Sequence, residues 1–422
     1  MNASLVPARL SRATADVPRP PVRMVHLGLG AFHRAHQLWY TQHAEDGATW
    51  GVAAFTMRSG SAAAVLAPQE GLFTLIERGA ADDRFETLWS LVEVGDGSSD
   101  GGRARMVELI ASPETAVVTL TVTEAGYAPD APAARVLRAG LEARFAAEAG
   151  PLAVVPCDNL GANGELARRA VLGTSDGPVP VGFEAWLAEQ VSFVSTSVDR
   201  ITPRATPHEA AEVLAGCGWR DEAPVVCEPF RSWVLEGRFP AGRPAWETAG
   251  ARFVTELEPW ERRKLWMLNG AHTLLATAGR LRGHETVAQA IADPELLRAV
   301  RAFWAEAARN LPDDVEAVAY GAELVSRFSN GRIAHLLEQI AQDSVAKLRF
   351  RALPVWRAER AAGRSGEAAR AVVEAWVETI LGGLRCADAD DPAIDAALRT
   401  SDPRAALLHL IDPELSVRSA RH

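Results

Sequence analysis

The sequence predicts the α/β fold class, with a parallel α/β domain over residues 1–257 followed by a mainly α-helical domain over 258–422. Three observations carry this. Apolar strand-like runs alternate with loop and helical material in the first half, a glycine turn closes the first run, and beyond Glu258 the spacing turns helical and stays so. Alternation of this kind argues for a parallel sheet flanked by helices. The expected strands are Val22 to Leu27, Trp50 to Met57, Ala116 to Thr123 and Leu152 to Pro156. Further β pieces at Phe193 to Val198, Val225 to Glu228 and Arg252 to Val254 extend the sheet or build a smaller region beside it. In the second domain Pro259 suits the first turn of a helix running from Trp260 to Leu281. Helices are then expected at Pro294 to Ala308, Val315 to Phe328, Ile333 to Leu348, Gly366 to Leu384 and Pro392 to Leu398.

The composition narrows the function classes. With 48% hydrophobic residues in 422, the chain can fill the cores of two or three domains. A net charge of −10 and the absence of basic runs with interleaved aromatics argue against a nucleic-acid partner. No apolar run approaches a membrane span, and the opening Met1 to Pro21 lacks the pattern of a signal peptide. A cytoplasmic protein with neither a nucleic-acid nor a membrane partner, as a monomer or small homo-oligomer, is the expectation. The four cysteines, Cys157, Cys217, Cys227 and Cys386, show no metal-ligand or disulfide spacing, so buried thiols and no metal are expected.

Only two of the 44 basic residues are lysine, Lys264 and Lys347. Arginine replaces lysine as a surface charge but cannot give up its proton near neutral pH, so a retained lysine attracts notice. Lys264 opens the segment KLWMLNGAH. At about 100° per residue Asn269 lies about 140° and His272 about 80° from Lys264, on one broad face of a helix. A lysine, an amide and an imidazole so placed can act as base, oxyanion donor and substrate-orienting group. An amphipathic helix whose wet side carries these residues is the plainer alternative.

Gly28-Leu29-Gly30 ends the first strand and precedes a helix-compatible segment, where a pyrophosphate can approach backbone N–H groups. His33 stands where the third glycine of G-x-G-x-x-G would be, so an ordinary tight turn competes with this reading. The second strand ends at Arg58-Ser59 rather than at an acid. Arg58 can face a ribose 2′-phosphate or be a solvated arginine. Cys157-Asp158-Asn159 through Asn163-Gly164 follows a strand, where Asn159 can donate to an oxyanion and Asn163 is open to an Asx-turn capping role. Glu124, in Thr123-Glu124-Ala-Gly-Tyr127, ends another strand and touches cofactor or merely turns.

Together these stretches resemble the mannitol dehydrogenase family, the polyol-specific long-chain dehydrogenases. The resembling segments are GLGAFHRAHQ from Gly28, PQEGLFTL from Pro68, TVTEAGY from Thr121, CDNLGANG from Cys157 and VDRITP from Val198. EPFRSWVLEGRF from Glu228, KLWMLNGAH from Lys264 and RFSNGRIAHLLEQIAQDSVAKL from Arg327 complete the series. The resemblance implies a metal-independent oxidoreductase with a Rossmann-type dinucleotide-binding N-terminal domain, a helical C-terminal domain and an active site between them. It implies Lys264 as general base, Asn159 and Asn269 as oxyanion-stabilising amides and His272 as the substrate-orienting residue. Gly28, Gly30, Ala31, Phe32, Arg58 and Glu124 are implied at the cofactor. NAD is the expected cofactor, with NADP left open by Arg58.

Departures fall at Ala125, where the family's TEKGY pattern has lysine, at Ser195, where asparagine is usual, and at Asp343-Ser344-Val345-Ala346-Lys347. In the hexitol branch the position of Gln339 tends to be arginine. HxxxQIAxD, present as His335 to Asp343, is similar to the hexuronate branch. Fructuronate/mannonate is therefore the substrate expected, with Arg327, Gln339 and Lys347 as substrate-binding candidates. Mannitol or arabinitol is the alternative, and a dinucleotide sensor without turnover a remoter one.

Overall fold

The computed structural model describes residues 7–174, 177–333 and 335–416. Residues 1–6 of the opening segment and Ala334 of the Arg327 stretch, both discussed above, lie outside that description. The chain divides into two compact units, Met1–Leu257 and Glu258–His422.

In the first unit the strands are β1 (Val22–Leu27), β2 (Gly51–Thr56), β3 (Phe73–Arg78), β4 (Asp83–Leu88), β5 (Leu91–Asp96) and β6 (Val117–Leu120). β7 (Leu152–Pro156), β8 (Val191–Phe193), β9 (Ser195–Asp199), β10 (Val225–Cys227), β11 (Ser232–Glu236) and β12 (Arg252–Val254) follow. The main sheet has the order β5-β2-β1-β6-β7-β8, every neighbouring pair parallel. Such a sheet must be covered on both faces. Met24, Val52, Ala54, Val117, Ala153 and Val155 face one core, while Val25, Leu27, Ala53, Phe55, Val118 and Val154 face the other. The strand order reverses between β1 and β6, which opens a crevice at their carboxyl ends.

Two three-stranded sheets, β10-β3-β4 and β12-β11-β9, adjoin the main one. The single strand expected over Phe193 to Val198 is thus two, β8 and β9, in different sheets. Val194 between them is fully buried in the same core as Cys157 and Trp233.

The second unit is helical. Its first helix starts at Glu258, with Pro259 in the first turn, but it is not the uninterrupted α-helix expected from Trp260 to Leu281. Lys264–Asn269 and Leu275–Gly279 are π-helical, with α-helix at Gly270–Leu274 between them. Gly270 permits a close approach to Pro294–Ala308: a Cβ there would lie 2.5 Å from the buried Phe303 ring. The helix expected from Ile333 to Leu348 is two short ones, Leu337–Ile340 and Ser344–Arg351. Asp343, at φ +50°, makes the corner between them.

Among the described residues no helix is long and apolar enough to cross a membrane, and no group of three or more His, Cys, Asp or Glu is placed to hold a metal ion. All four cysteines are free thiols; Cys157 and Cys227 are buried as expected, whereas Cys217 and Cys386 are half-exposed.

Candidate active site

The first unit collects its candidates at the carboxyl ends of the parallel strands. Gly28 takes φ +106°, and a Cβ there would lie 2.0 Å from the Thr121 carbonyl oxygen, so the turn out of β1 requires glycine. Its N–H and that of Leu29 both donate to the Phe55 carbonyl, at 2.8 and 2.9 Å, which fastens the turn to β2. A Cβ on Gly30 would meet nothing nearer than the Gly28 oxygen at 3.6 Å, leaving the space beside the loop open. Ala31 and Phe32 begin the helix Ala31–Ala35, where first-turn N–H groups have no acceptor within the helix. A glycine loop with open space, uncommitted amides and a place at the strand-order reversal suits a pyrophosphate.

Arg58 is exposed beyond β2 and donates to the Thr123 hydroxyl at 2.8 Å, so it spans the ends of β2 and β6. Glu124 is exposed in the 3-10 turn Glu124–Tyr127. The acid nearest the end of β2 is Asp96, on β5, and it is engaged locally: it accepts from Ser98 N–H at 2.9 Å and Ser98 Oγ at 2.6 Å.

Asn159 is exposed just past β7, and its neighbour fixes it. The Asp158 carboxylate accepts from Val122 N–H at 3.0 Å, Thr123 N–H at 2.8 Å and the Tyr127 hydroxyl at 2.6 Å, joining the loops after β6 and β7. Burial and then the adjacent Asp158 charge push the Tyr127 phenol up, so it remains a donor. Asn163 makes no Asx-turn cap. It is fully buried, donates to the carbonyls of Asp158 at 3.0 Å and Thr196 at 2.8 Å, and accepts from Thr196 N–H at 2.8 Å. It staples the Asn159 loop to β9.

In the second unit Lys264, Asn269 and His272 share one helix, with Lys264 and Asn269 half-buried and His272 buried. In the π segment Gly270 N–H bonds the Leu265 carbonyl, five residues back. A π turn is wider than an α turn, so five residues carry Asn269 less far past one full turn than the about 140° of α-helical spacing. The wide turn brings amine and amide onto one side more closely than α-helical spacing does. His272 packs on Phe328 (ring centroids 4.7 Å apart) and meets His335 edge to face, also at 4.7 Å. Burial first, then the Arg327 charge, lowers the His335 pKa, so that ring is neutral near pH 7. The Asn269 carbonyl accepts from Arg351 at 3.2 Å, and the same guanidinium donates to Thr273 Oγ at 3.1 Å.

The three substrate-binding candidates are not one cluster. Arg327 is half-buried and its charge reaches His335, whereas Gln339 is exposed on Leu337–Ile340. Lys347, on the helix Ser344–Arg351, turns back on the corner before it, donating to the carbonyls of Ile340 (3.0 Å) and Gln342. Tyr127 in TVTEAGY, Asp158 in CDNLGANG and His335 in HxxxQIAxD each lie inside a motif, but nothing in the sequence assigns any of the three a role of its own.

Strand order and glycine loop place the first unit among the dinucleotide-binding α/β folds. Residues 22–248 match the family model for the mannitol dehydrogenase Rossmann domain, and residues 256–382 that for the mannitol dehydrogenase C-terminal domain. The D-mannonate oxidoreductase of Escherichia coli (strain K12) is 36% identical over 375 residues, covering 82% of this chain and 77% of that protein. The solved ternary complex of Pseudomonas fluorescens mannitol 2-dehydrogenase with NAD and D-mannitol superposes with TM-score 0.75 at 30% identity, over 97% of this chain and 89% of that one. A substrate-free D-sorbitol dehydrogenase gives TM-score 0.82 at 26% identity, over 88% and 85%. The chain belongs to the mannitol dehydrogenase family of oxidoreductases.

Proposed function

We propose that this chain is an NAD-dependent oxidoreductase that interconverts a secondary alcohol of a linear sugar acid with the corresponding ketose, fructuronate/mannonate being the pair. The observation that carries the reaction class is the placement of Lys264, Asn269 and His272 on one helix, the first two brought to one side by a π turn. Gly28, Gly30, Ala31 and Phe32 hold the dinucleotide, with Arg58 and Glu124 at its edge. When bound, the nicotinamide would supply the hydride acceptor for the carbinol carbon in oxidation and the hydride donor in reduction. In oxidation a neutral Lys264 takes the hydroxyl proton; in reduction protonated Lys264 gives it back to the alkoxide. Asn159 and Asn269 donate to that alkoxide, a contribution of about 3 kcal/mol per donor elsewhere. His272, braced by Phe328 and His335, orients the substrate.

The sugar-acid reading is supported by the relative named D-mannonate oxidoreductase and by the His335 to Asp343 pattern. One observation favours a neutral polyol such as mannitol: Lys347, a candidate counter-charge for a carboxylate, is engaged by main-chain carbonyls.

The test is a spectrophotometric screen of NADH and NADPH oxidation with fructuronate, tagaturonate, fructose and xylulose, run beside Lys264→Ala. Fructuronate turnover that disappears in the variant is the expected result. Turnover of fructose or xylulose alone moves the substrate to the polyols. Near wild-type rates in Lys264→Ala would remove the base from that residue, and cofactor binding with no turnover on any sugar would leave a sensor.

A further inference from the structure

Beneath the Gly28 loop lies a buried polar assembly that the chemistry above does not use. His26 on β1 and His33 on the following helix are both fully buried, and their rings stack with centroids 3.2 Å apart and planes 5° from parallel. His33 stands where a dinucleotide loop of the usual pattern has its third glycine, the residue that lets helix and strand approach closely. Here two flat rings fill that space face to face.

The hydrogen bonds around the stack have a fixed direction, because two of their ends are main-chain carbonyls, which only accept. Thr121 Oγ donates to the Gly28 carbonyl at 2.8 Å, so it accepts from His26 Nε2 at 3.0 Å, and His26 Nδ1 accepts from Thr119 Oγ at 2.8 Å. On the other side His36 Nε2 donates to the Ser232 carbonyl at 2.9 Å, so its Nδ1 accepts from the Gln37 amide at 3.0 Å. Gln37 Oε1 then accepts from His33 Nδ1 at 3.3 Å. His33 Nε2 is left as a buried lone pair with no hydrogen-bond partner. The ring of His33 is therefore held by one hydrogen bond and by its flat contact with His26. Burial brings His26 down to about 3, and burial with the neighbouring His26 takes His33 well below its ordinary value, so both rings stay neutral.

We propose that the His26–His33 stack and the Thr119–His26–Thr121 hydrogen-bond chain are positioning elements for dinucleotide binding: the stack sets the height of the Ala31–Ala35 helix over β1, and the chain, ending on the Gly28 carbonyl, sets the orientation of the loop. This rests on the nicotinamide-dinucleotide reading given above. A loop so held meets the pyrophosphate without reorganising, and preorganisation of this kind appears in the dissociation constant of the cofactor.

The experiment is calorimetric titration of NADH and NADPH into the full chain and into His33→Ala, His33→Phe and Thr121→Val, with a thermal melt recorded for each. His33→Ala and Thr121→Val are expected to raise the cofactor Kd about tenfold or more, while His33→Phe, which keeps a flat ring, stays within about threefold of wild type. A merely structural role would lower the melting temperature and leave Kd where it was. If His33→Ala gives no cooperative melt, Thr121→Val, which exchanges one hydroxyl for a methyl, decides alone. Wild-type Kd in both His33→Ala and Thr121→Val, or an equal loss in His33→Phe and His33→Ala, overturns the proposal while the nicotinamide reading stands. A wild-type chain that binds neither nucleotide overturns both.

Discussion

Asp158 takes three hydrogen bonds on one carboxylate, two from main-chain N–H groups and one from Tyr127, and the residue that follows it is Asn159. Two of these donors are backbone N–H groups, which no side-chain change short of proline removes, so the hydroxyl is the part of the clamp open to a conservative test. Hydrogen bonds to a charged group contribute about 1.5–3 kcal/mol, and here the two amides remain after the phenol is lost. Tyr127→Phe is therefore expected to destabilise the chain by about 1–2 kcal/mol and to lower kcat/KM severalfold through a loosened Asn159. Melting curves and steady-state kinetics check this together. An unchanged melting temperature would mean that the amides alone hold the carboxylate, and unchanged kinetics with a lowered melt would separate Asp158 from the placement of Asn159.

At the scale of elements, the helix carrying Lys264 depends on its neighbours for its π geometry, because i to i+5 bonding is rarer than α and needs tertiary support. Gly270 lies at the end of the first π segment against Phe303, where a methyl group would arrive 2.5 Å from a ring carbon. Gly270→Ala should cost about 1–3 kcal/mol by overpacking despite the better helix propensity of alanine. Adding Phe303→Leu should return part of that loss, a non-additivity read from four melting curves; strict additivity would show that the two residues do not press on each other. A second element, Leu353–Ala361, carries the wholly buried Glu359, bound by Arg364 and Arg309, each at 2.7 Å, and Asn310 at 2.6 Å. Burial alone would raise this carboxyl, but the hydrogen bonds from Arg364, Arg309 and Asn310 outweigh it and bring it down to about 2. A depressed carboxylate contributes fully above its unfolded pKa of about 4.3 and loses that contribution as pH falls through the folded value. Glu359→Gln should accordingly melt well below wild type at pH 7, with the gap closing as pH falls from about 4 towards about 2. A gap that held constant with pH would mean the network does not depend on the charge. These elements also show what can be read from a chain. β1 and β7 lie where apolar runs predicted them, since strands covered on both faces read as unbroken apolar stretches. β4, Asp83–Leu88, half-exposed and polar, offers no such run, and π and α turns share one composition. Lys264 stood out through the scarcity of lysine. The partners of His26 did not, because Thr119 and Thr121 are 93 and 95 residues away and meet it only when β1 and β6 pair.

Across the whole molecule, a composition with 44 basic residues and only two lysines makes the amine chemistry of this protein unusually selective. Reductive methylation leaves guanidinium groups untouched, so its targets are Lys264, Lys347 and the α-amino group. The two lysines differ in what modification would disturb. Lys347 donates to the Ile340 and Gln342 carbonyls, and an arginine there retains charge and donors for those carbonyls. Lys264, if it is the base, cannot be replaced by arginine, which stays protonated throughout the accessible pH range. Activity lost during methylation should therefore track the modified fraction of Lys264, read by peptide mass, and should follow the same course in Lys347→Arg. Bound dinucleotide together with a ketose should slow both the modification of Lys264 and the loss of activity in parallel. Inactivation that instead followed Lys347, and disappeared in Lys347→Arg, would move the essential amine from the π helix to the corner between Leu337–Ile340 and Ser344–Arg351, and the proposed proton transfer would have to be rebuilt around that residue.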